Sequence, residues 1–169
     1  MHLRRRIIAA VGLIWLGTAA AVAEEAVARV GTYGAWSLLT DDNAPHLFCF
    51  VTSEAKESAP KAERDVPRAY ISAWPKDGIR GEVSFRLAAH IEQHSDVTAS
   101  IRPNEYTLFT NGDRAFVKDP TQELKLLDAM RKGHVLTVAF TAEDGGQVSD
   151  TYSLSGVGVA LQKLQDTCF

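Results

Sequence analysis

The amino-acid sequence predicts a mainly β, single-domain, antiparallel β-sandwich-like fold with two short peripheral helices. Three observations carry this prediction. Segments in which apolar and polar residues alternate recur along the chain, with turn-forming residues about every 8–12 positions. Only two stretches show the apolar period of a helix. Helices are missing between most of the predicted strands, which argues against the parallel sheet of an α/β protein.

The N-terminus has the pattern of a secretory signal peptide. A basic segment at 2–6 precedes an uncharged apolar run at 7–23, and the small residues that signal peptidase accepts end at Ala23. We therefore predict that residues 1–23 are removed, which leaves a single domain at 24–169. The apolar run of 17 residues is shorter than the ~20 that a membrane-spanning helix needs. A retained anchor is the weaker alternative, and no integral membrane segment is expected after cleavage.

The charge of the mature chain argues against nucleic acid as a partner. The complete chain has 18 basic and 21 acidic residues, a formal net charge of −3. Removal of Arg4, Arg5 and Arg6 with the signal peptide leaves 15 basic residues and a net charge of −6. The sequence has no basic stripe, so neither a nucleic-acid binder nor a binder of anionic membranes is expected.

Nine segments are predicted as strands. The clearest is 82–88, where every second residue is apolar. The small and polar residues 24–32 are predicted to be a loose lead-in, and the long polar stretch 53–67 an exposed loop. The predicted strands are 33–40, 46–52, 68–74, 82–88, 97–101, 105–110, 114–117, 135–141 and a last one that begins at Gln147.

Two short helices complete the prediction. In the first, Asp119 is the expected N-cap, Pro120 follows it, and Gly133 ends the helix. In the second, Ser155 is the expected N-cap, because its hydroxyl can accept a hydrogen bond from a first-turn N–H group. The positions predicted to be buried are Leu124, Leu127 and Met130 in the first helix and Val157, Ala160, Leu161 and Leu164 in the second.

Both cysteines, Cys49 and Cys168, survive signal cleavage and enter an oxidising compartment, where they allow one intramolecular pairing. A redox-active pair or a free thiol is the alternative, but neither a CxxC motif nor a nearby helix start marks a reactive thiolate. We therefore predict a structural disulfide. A loop of about 120 residues would be closed, for which the chain-entropy model gives roughly 4–5 kcal/mol.

One cluster of residues has the composition of a metal site. On an extended strand His90, Glu92 and His94 would share a face, and three such ligands could hold zinc with an open fourth position. This predicts, as an alternative function, a small periplasmic hydrolase or metal-dependent enzyme. The competing interpretation is a polar turn, because no fourth ligand is evident. Signatures of a catalytic nucleophile are absent from the sequence, so we assign no catalytic residue, cofactor or metal.

Three aromatic residues, Trp36, Tyr70 and Trp74, could line a groove for a ligand. Aromatic residues on strands more often belong to the core, so both interpretations stay open.

Six short motifs are spread over nearly the whole mature chain. They are Gly34-Ala35-Trp36-Ser37, Cys49-Phe50-Val51-Thr52-Ser53, Ser72-Ala73-Trp74-Pro75, Gly112-Asp113-Arg114-Ala115-Phe116, Ala129-Met130-Arg131-Lys132-Gly133 and Asp150-Thr151-Tyr152-Ser153-Leu154-Ser155-Gly156. With these motifs in this order, and with its late cysteine, the chain resembles the invasion-associated locus B family, which are secreted envelope proteins of alphaproteobacteria.

The resemblance implies a periplasmic or surface-associated protein with a link to host-cell entry, and it carries over no catalytic residues. Together with the predicted export and the acidic charge, it leads to the hypothesis of a non-enzymatic envelope protein that binds an unknown envelope or host-surface partner. A carrier of a small apolar ligand between the sheets is a further alternative.

Overall fold

The structure, a computed structural model, describes residues 27–41, 47–61, 64–92 and 95–169. The predicted signal peptide at 1–23 lies outside these residues. The described part of the chain contains eleven strands and two α-helices. Their bounds are β1 Ala28–Tyr33, β2 Trp36–Asp41, β3 Phe48–Glu54, β4 Glu57–Ala59, β5 Arg68–Trp74, β6 Ile79–Arg86, β7 Val97–Ile101, β8 Asn104–Asn111, β9 Arg114–Val117, α1 Pro120–Lys132, β10 Val135–Thr141, β11 Gln147–Ser153 and α2 Val157–Cys168.

The strands form one sheet in the order β1-β2-β3-β5-β6-β9-β8-β7-β10-β11-β4, and every pair of neighbours is antiparallel. The predicted fold class, mainly β and antiparallel with two helices, is therefore confirmed. The two layers of the sandwich-like fold are parts of a single continuous sheet, because short hairpins connect most of the strands.

The sheet folds back so that strands near its two ends meet. The Trp36 indole Nε1 donates a hydrogen bond of 3.0 Å to the Ser153 carbonyl, which joins β2 to β11. Just after β3, the Lys56 N–H donates to the Thr151 carbonyl over 2.7 Å. The inner side of the sheet therefore encloses one core rather than facing solvent.

Every second side chain of the strands points into this core, because successive side chains of a strand point to opposite faces of the sheet. In β6 and just beyond it, Val83, Phe85 and Leu87 are fully buried, as the sequence predicts. The largest fully buried side chains are Trp36, Tyr152, Phe85, Phe140, Leu38, Ile71, Leu87, Leu126, Met130, Leu136, Leu164 and Val51.

Helix α2 closes the core over β2 and β3. Its four predicted apolar positions are all buried. The helix ends at Cys168, which forms a disulfide with Cys49 of β3 across a Cα–Cα distance of 6.5 Å. Both cysteines are buried, so the bond ties the last helix to the interior of the sheet.

Helix α1 begins and ends at the predicted residues. The Asp119 carboxylate accepts a hydrogen bond of 2.9 Å from the Gln122 N–H, which also lowers the pKa of that carboxyl. Glu123 Oε1 accepts a bond of 2.8 Å from the Val83 N–H. The helix therefore covers the part of β6 that β9 does not pair. Neither helix of the described part is long and apolar enough to cross a membrane.

Two details of the helices differ from the prediction. Leu124 is 68% exposed, and Leu126 is fully buried in its place. At 100° per residue Leu126 and Met130 lie on one side of Leu127 and Leu124 lies on the other, so the buried face is shifted. The N-cap of α2 is Gly156, in the left-handed conformation with no side-chain cap, and not Ser155.

The predicted strand 33–40 is in fact two strands with a tight turn at Gly34. Most of the predicted lead-in 24–32 that the structure describes belongs to β1. Among the described residues this strand pairs only with β2, and it is largely exposed, so its sequence lacks the alternation that a buried strand needs.

The predicted exposed loop 53–67 also contains structure. Strand β3 continues to Glu54, and β4 pairs with β11 on the other side of the molecule. Within the same segment, the Arg64 side chain is largely buried, with 11% of its surface exposed. Short edge strands have few positions from which a period could be recognised, which explains the error.

Candidate functional site

Aromatic side chains gather on the outer side of the sheet, which faces away from the core. In β5, Ala69, Ile71 and Ala73 point inward, so Tyr70 and Trp74 point outward. Outward positions on β3, β8 and β9 carry aromatic residues as well. We call these six rings the outer aromatic face: Phe48, Phe50, Tyr70, Trp74, Phe109 and Phe116.

The rings of the outer aromatic face pack in two groups, one of Phe48, Phe50, Tyr70 and Trp74 and the other of Phe109 and Phe116. Ring centroids are 4.9 Å apart for Phe48 and Trp74, 5.2 Å for Phe48 and Phe50, and 5.5 Å for Phe109 and Phe116. All three pairs are stacked. In each pair, one face of each ring is therefore turned toward its neighbour.

This surface shields polar neighbours and remains partly open itself. Ser72 and Ser84, which also point outward, are only 5% and 3% exposed. By contrast Phe109 is 46% exposed, and Ile79, the cross-strand neighbour of Trp74, is 38% exposed. Exposed apolar side chains that cluster with other apolar residues are typical of interaction sites in soluble proteins.

A carboxyl group lies among the rings. Glu82 is directly opposite Ser72 on the outer side of β6. Burial raises the pKa of the Glu82 carboxyl above its ordinary value. The Glu82 carboxyl is therefore partly removed from water.

An arginine row borders the outer aromatic face. Arg68 of β5 is directly opposite Arg86 of β6, and Arg86 is directly opposite Arg114 of β9. The Arg114 guanidinium lies 5.3 Å from the centre of the Tyr70 ring, within the range of a cation–π interaction. These three arginines are far apart in the sequence, and only strand pairing brings them together.

Acidic residues next to the arginine row neutralise the charge of two of its three arginines. Arg68 forms an ion pair with Glu54. Arg86 donates to Asp65 over 2.7 Å and to Asp113 over 3.3 Å, and these hydrogen bonds raise the pKa of its guanidinium. All three carboxylates are more than half exposed, so the pairs are of the weak surface type.

The other half of the outer side has a different character. On β7, β10 and β11 most outward positions carry hydroxyl groups and none carries a ring, although Val135 and Ala139 of β10 are apolar. The aromatic and arginine side chains are therefore confined to one half. The hydroxyl residues are Thr98, Ser100, Thr137, Ser149 and Thr151.

The metal-like cluster is not assembled on a strand in the described part of the chain. His90 and Glu92 are exposed, and Ile91 between them forms an isolated bridge to Ala142. His94 lies outside the described residues. Within the ranges that the structure describes, no three His, Cys, Asp or Glu residues are grouped as metal ligands would be.

The three aromatic residues considered for a groove are divided between two surfaces. Trp36 is fully buried in the core. Tyr70 and Trp74 belong to the outer aromatic face, with phenylalanines that sequence reasoning did not select. Alternation in β5 could have placed Tyr70 and Trp74 outward, but the cross-strand positions of Phe109 and Phe116 depend on pairings that the sequence does not show.

A buried polar cluster was also missed. The Asp150 side chain is fully buried, accepts a 2.8 Å hydrogen bond from Ser58 and forms an ion pair with Arg64, which also donates to the Leu87 carbonyl. Asp150 Oδ2 and the Tyr152 hydroxyl have no hydrogen-bond partner among the described residues, and burial raises the pKa of Tyr152. The Arg64 donors are committed to protein acceptors, so this cluster holds the 55–67 segment in place.

Comparison with known proteins gives a consistent result. The family model described as "Invasion associated locus B (IalB) protein" matches residues 36–165. A similar solved structure is the crystal structure of invasion associated protein b from Bartonella henselae, with a TM-score of 0.60 and 19% sequence identity. The match covers 81% of this chain and 96% of that one. At this identity the likeness concerns the fold. No curated protein matches the chain.

Proposed function

The chain belongs to the invasion associated locus B (IalB) family, and from this we propose that it is an exported, non-enzymatic protein of the cell envelope that binds a partner through its outer aromatic face. The partner is an envelope component or a host-surface component. The family name and the printed name of the Bartonella henselae relative refer to invasion.

Export is supported by features that suit an oxidising compartment. The sequence has the signal-peptide pattern at 1–23, and we propose cleavage after Ala23. The Cys49–Cys168 disulfide is of the kind found in secreted proteins and rarely in cytosolic ones. The acidic charge of the mature chain suits a protein that stays dispersed in the envelope.

The outer aromatic face is the observation that carries the binding function. Aromatic residues and arginine are the types enriched at the centres of protein interfaces. Here they share one half of the sheet, while the other half carries hydroxyl groups. The sheet does not need exposed rings such as Phe109 for its core, which is on the opposite side. No observation favours the alternative of a metal-dependent enzyme, and the family is not known for an enzymatic activity.

Site-specific photo-crosslinking in intact cells, both alone and in contact with host cells, tests this proposal. A photoreactive amino acid at Phe109 should give a discrete adduct of higher mass in the envelope fraction, because this side chain would lie within the interface. The matched control is Val159, which is 55% exposed on α2 and therefore at least as accessible. Equal adducts from both positions, or none from Phe109, would contradict the proposal.

A further inference from the structure

The arginine row places like charges opposite each other, and within the described ranges carboxylates form ion pairs with only two of its three members. Like charges directly opposite each other on paired strands repel, and neighbouring strands lie only about 5 Å apart. Arg68, Arg86 and Arg114 occupy three such positions in succession. The chain as a whole has more acidic than basic residues, so an excess of basic residues does not explain the row.

Arg114 is the member that the protein leaves available. Its guanidinium lies over the Tyr70 ring, and within the described ranges no carboxylate forms an ion pair with it. The residue is exposed. A guanidinium has five N–H donors in a planar fork, and contact with a ring face uses none of them. The donors of Arg114 therefore remain free for an acceptor on another molecule.

We propose that the arginine row and the outer aromatic face form one docking surface for a protein segment that carries acidic side chains next to apolar ones. A carboxylate of the segment binds Arg114, and its apolar side chains cover the neighbouring rings. The inference rests on the proposed function and specifies the chemistry of the partner.

The geometry favours a protein over a glycan or a membrane. Sugars stack on open ring faces, whereas Phe48 is stacked on two other rings, and one ring face of Trp74 and one of Phe109 are each turned toward a neighbouring ring. An anionic membrane would meet a chain whose mature form carries a net charge of −6. Arginine binds carboxylates in a bidentate geometry, and aromatic edges pack well against aliphatic side chains.

Selection from a phage-displayed library of random dodecapeptides, with the exported full-length protein as bait, tests the inference. Selected peptides should be enriched in Asp or Glu within a few residues of apolar side chains. Their affinity should fall at least tenfold for Arg114→Gln and should decrease as salt is raised. Arg102→Gln is the control, since Arg102 is an exposed arginine in the β7–β8 turn. The affinity of the peptides for this variant should equal their affinity for the unchanged protein.

Other outcomes would overturn the inference in distinguishable ways. If the selected peptides bind the Phe109→Ser variant more weakly but bind the Arg114→Gln variant as well as the unchanged protein, the inference of an acidic partner is wrong. The same holds if the selected peptides are not enriched in Asp or Glu. Neither result contradicts the proposed function. Failure to select any peptide would also overturn the inference. So would Arg114-dependent binding of alginate or of phosphatidylglycerol vesicles in place of peptides. Loss of the photo-crosslinked adduct at Phe109 would instead count against the proposed function itself.

Discussion

Two glycines meet where the turn between β1 and β2 crosses the turn between β11 and α2. Gly34 and Gly156 both have positive φ, 60° and 86°. The Ala35 N–H donates a 2.9 Å hydrogen bond to the Ser155 carbonyl across this crossing. A Cβ on Gly156 would collide with the Tyr33 carbonyl oxygen. Two of the motifs that carry the family resemblance therefore form a single contact in space.

Substitution of Gly156 by alanine should lower the free energy of unfolding by more than about 2 kcal/mol, because the left-handed conformation and the collision add to each other. Gly158→Ala is the control: a Cβ there meets nothing within 4 Å, and helix propensity should raise stability by up to about 1 kcal/mol. Urea unfolding of both variants gives the comparison. Similar stabilities for the two would show that the crossing is not as tight as described.

At the scale of single residues, the sequence predicted correctly which side chains are buried and which are exposed wherever the alternation of apolar and polar residues was long enough. The four apolar positions of α2 are buried as expected. The prediction that Leu124 is buried was wrong, because in a leucine-rich helix the direction of the buried face depends on the elements that pack against the helix. The prediction of Ser155 as the N-cap of α2 was wrong, because the turn between β1 and β2 comes too close for an ordinary N-cap. The outward aromatics could be recognised singly but not as one surface.

At the scale of elements, the segment between β3 and β5 is held by its contacts with β11. Strand β4 pairs with β11, and Arg64 forms its ion pair with the fully buried Asp150. A charge removed from water in this way is stable only with its partner in place. The segment is therefore part of the fold, although its composition is that of a loop.

Asp150→Asn should lower the free energy of unfolding by about 3–5 kcal/mol, because Arg64 would be left buried without a counter-ion. Asp65→Asn provides the control: its pair with Arg86 is exposed, and the loss should be below about 1 kcal/mol. The double variant Arg64→Met with Asp150→Leu should recover most of the loss. Equal, small effects of Asp150→Asn and Asp65→Asn in chemical denaturation would contradict the buried role.

Strand prediction succeeded where both ends of a strand are marked. The bounds of β5, β7, β9 and β10 agree with the prediction, because alternation runs through each and turn residues follow. Strands β1 and β4 are at the edges of the sheet, where side chains face solvent and the period is lost. Pairing between distant segments, such as β4 with β11, leaves no local signal.

At the scale of the whole molecule, one folded-over sheet has an inner face that is buried and an outer face that we propose binds a partner. The inner face buries the core, and the Cys49–Cys168 bond fixes α2 over it. In the chain-entropy model a cross-link of this span contributes roughly 4–5 kcal/mol through the unfolded state. The outer face keeps rings at its surface that the core does not use. The fold class, the disulfide and the family could be predicted from the sequence. The outer aromatic face could not, because the order of the strands in the sheet decides which side chains lie next to each other on it.

The central claim is that the outer aromatic face serves binding and not folding, and the free energy of unfolding of Phe109→Ser tests it most directly. The account predicts a loss of no more than about 1 kcal/mol, mainly from the contact with Phe116. Phe85→Ala, on the inner face, should cost about 3–5 kcal/mol in the same urea titration. A loss from Phe109→Ser as large as that from Phe85→Ala would contradict the account.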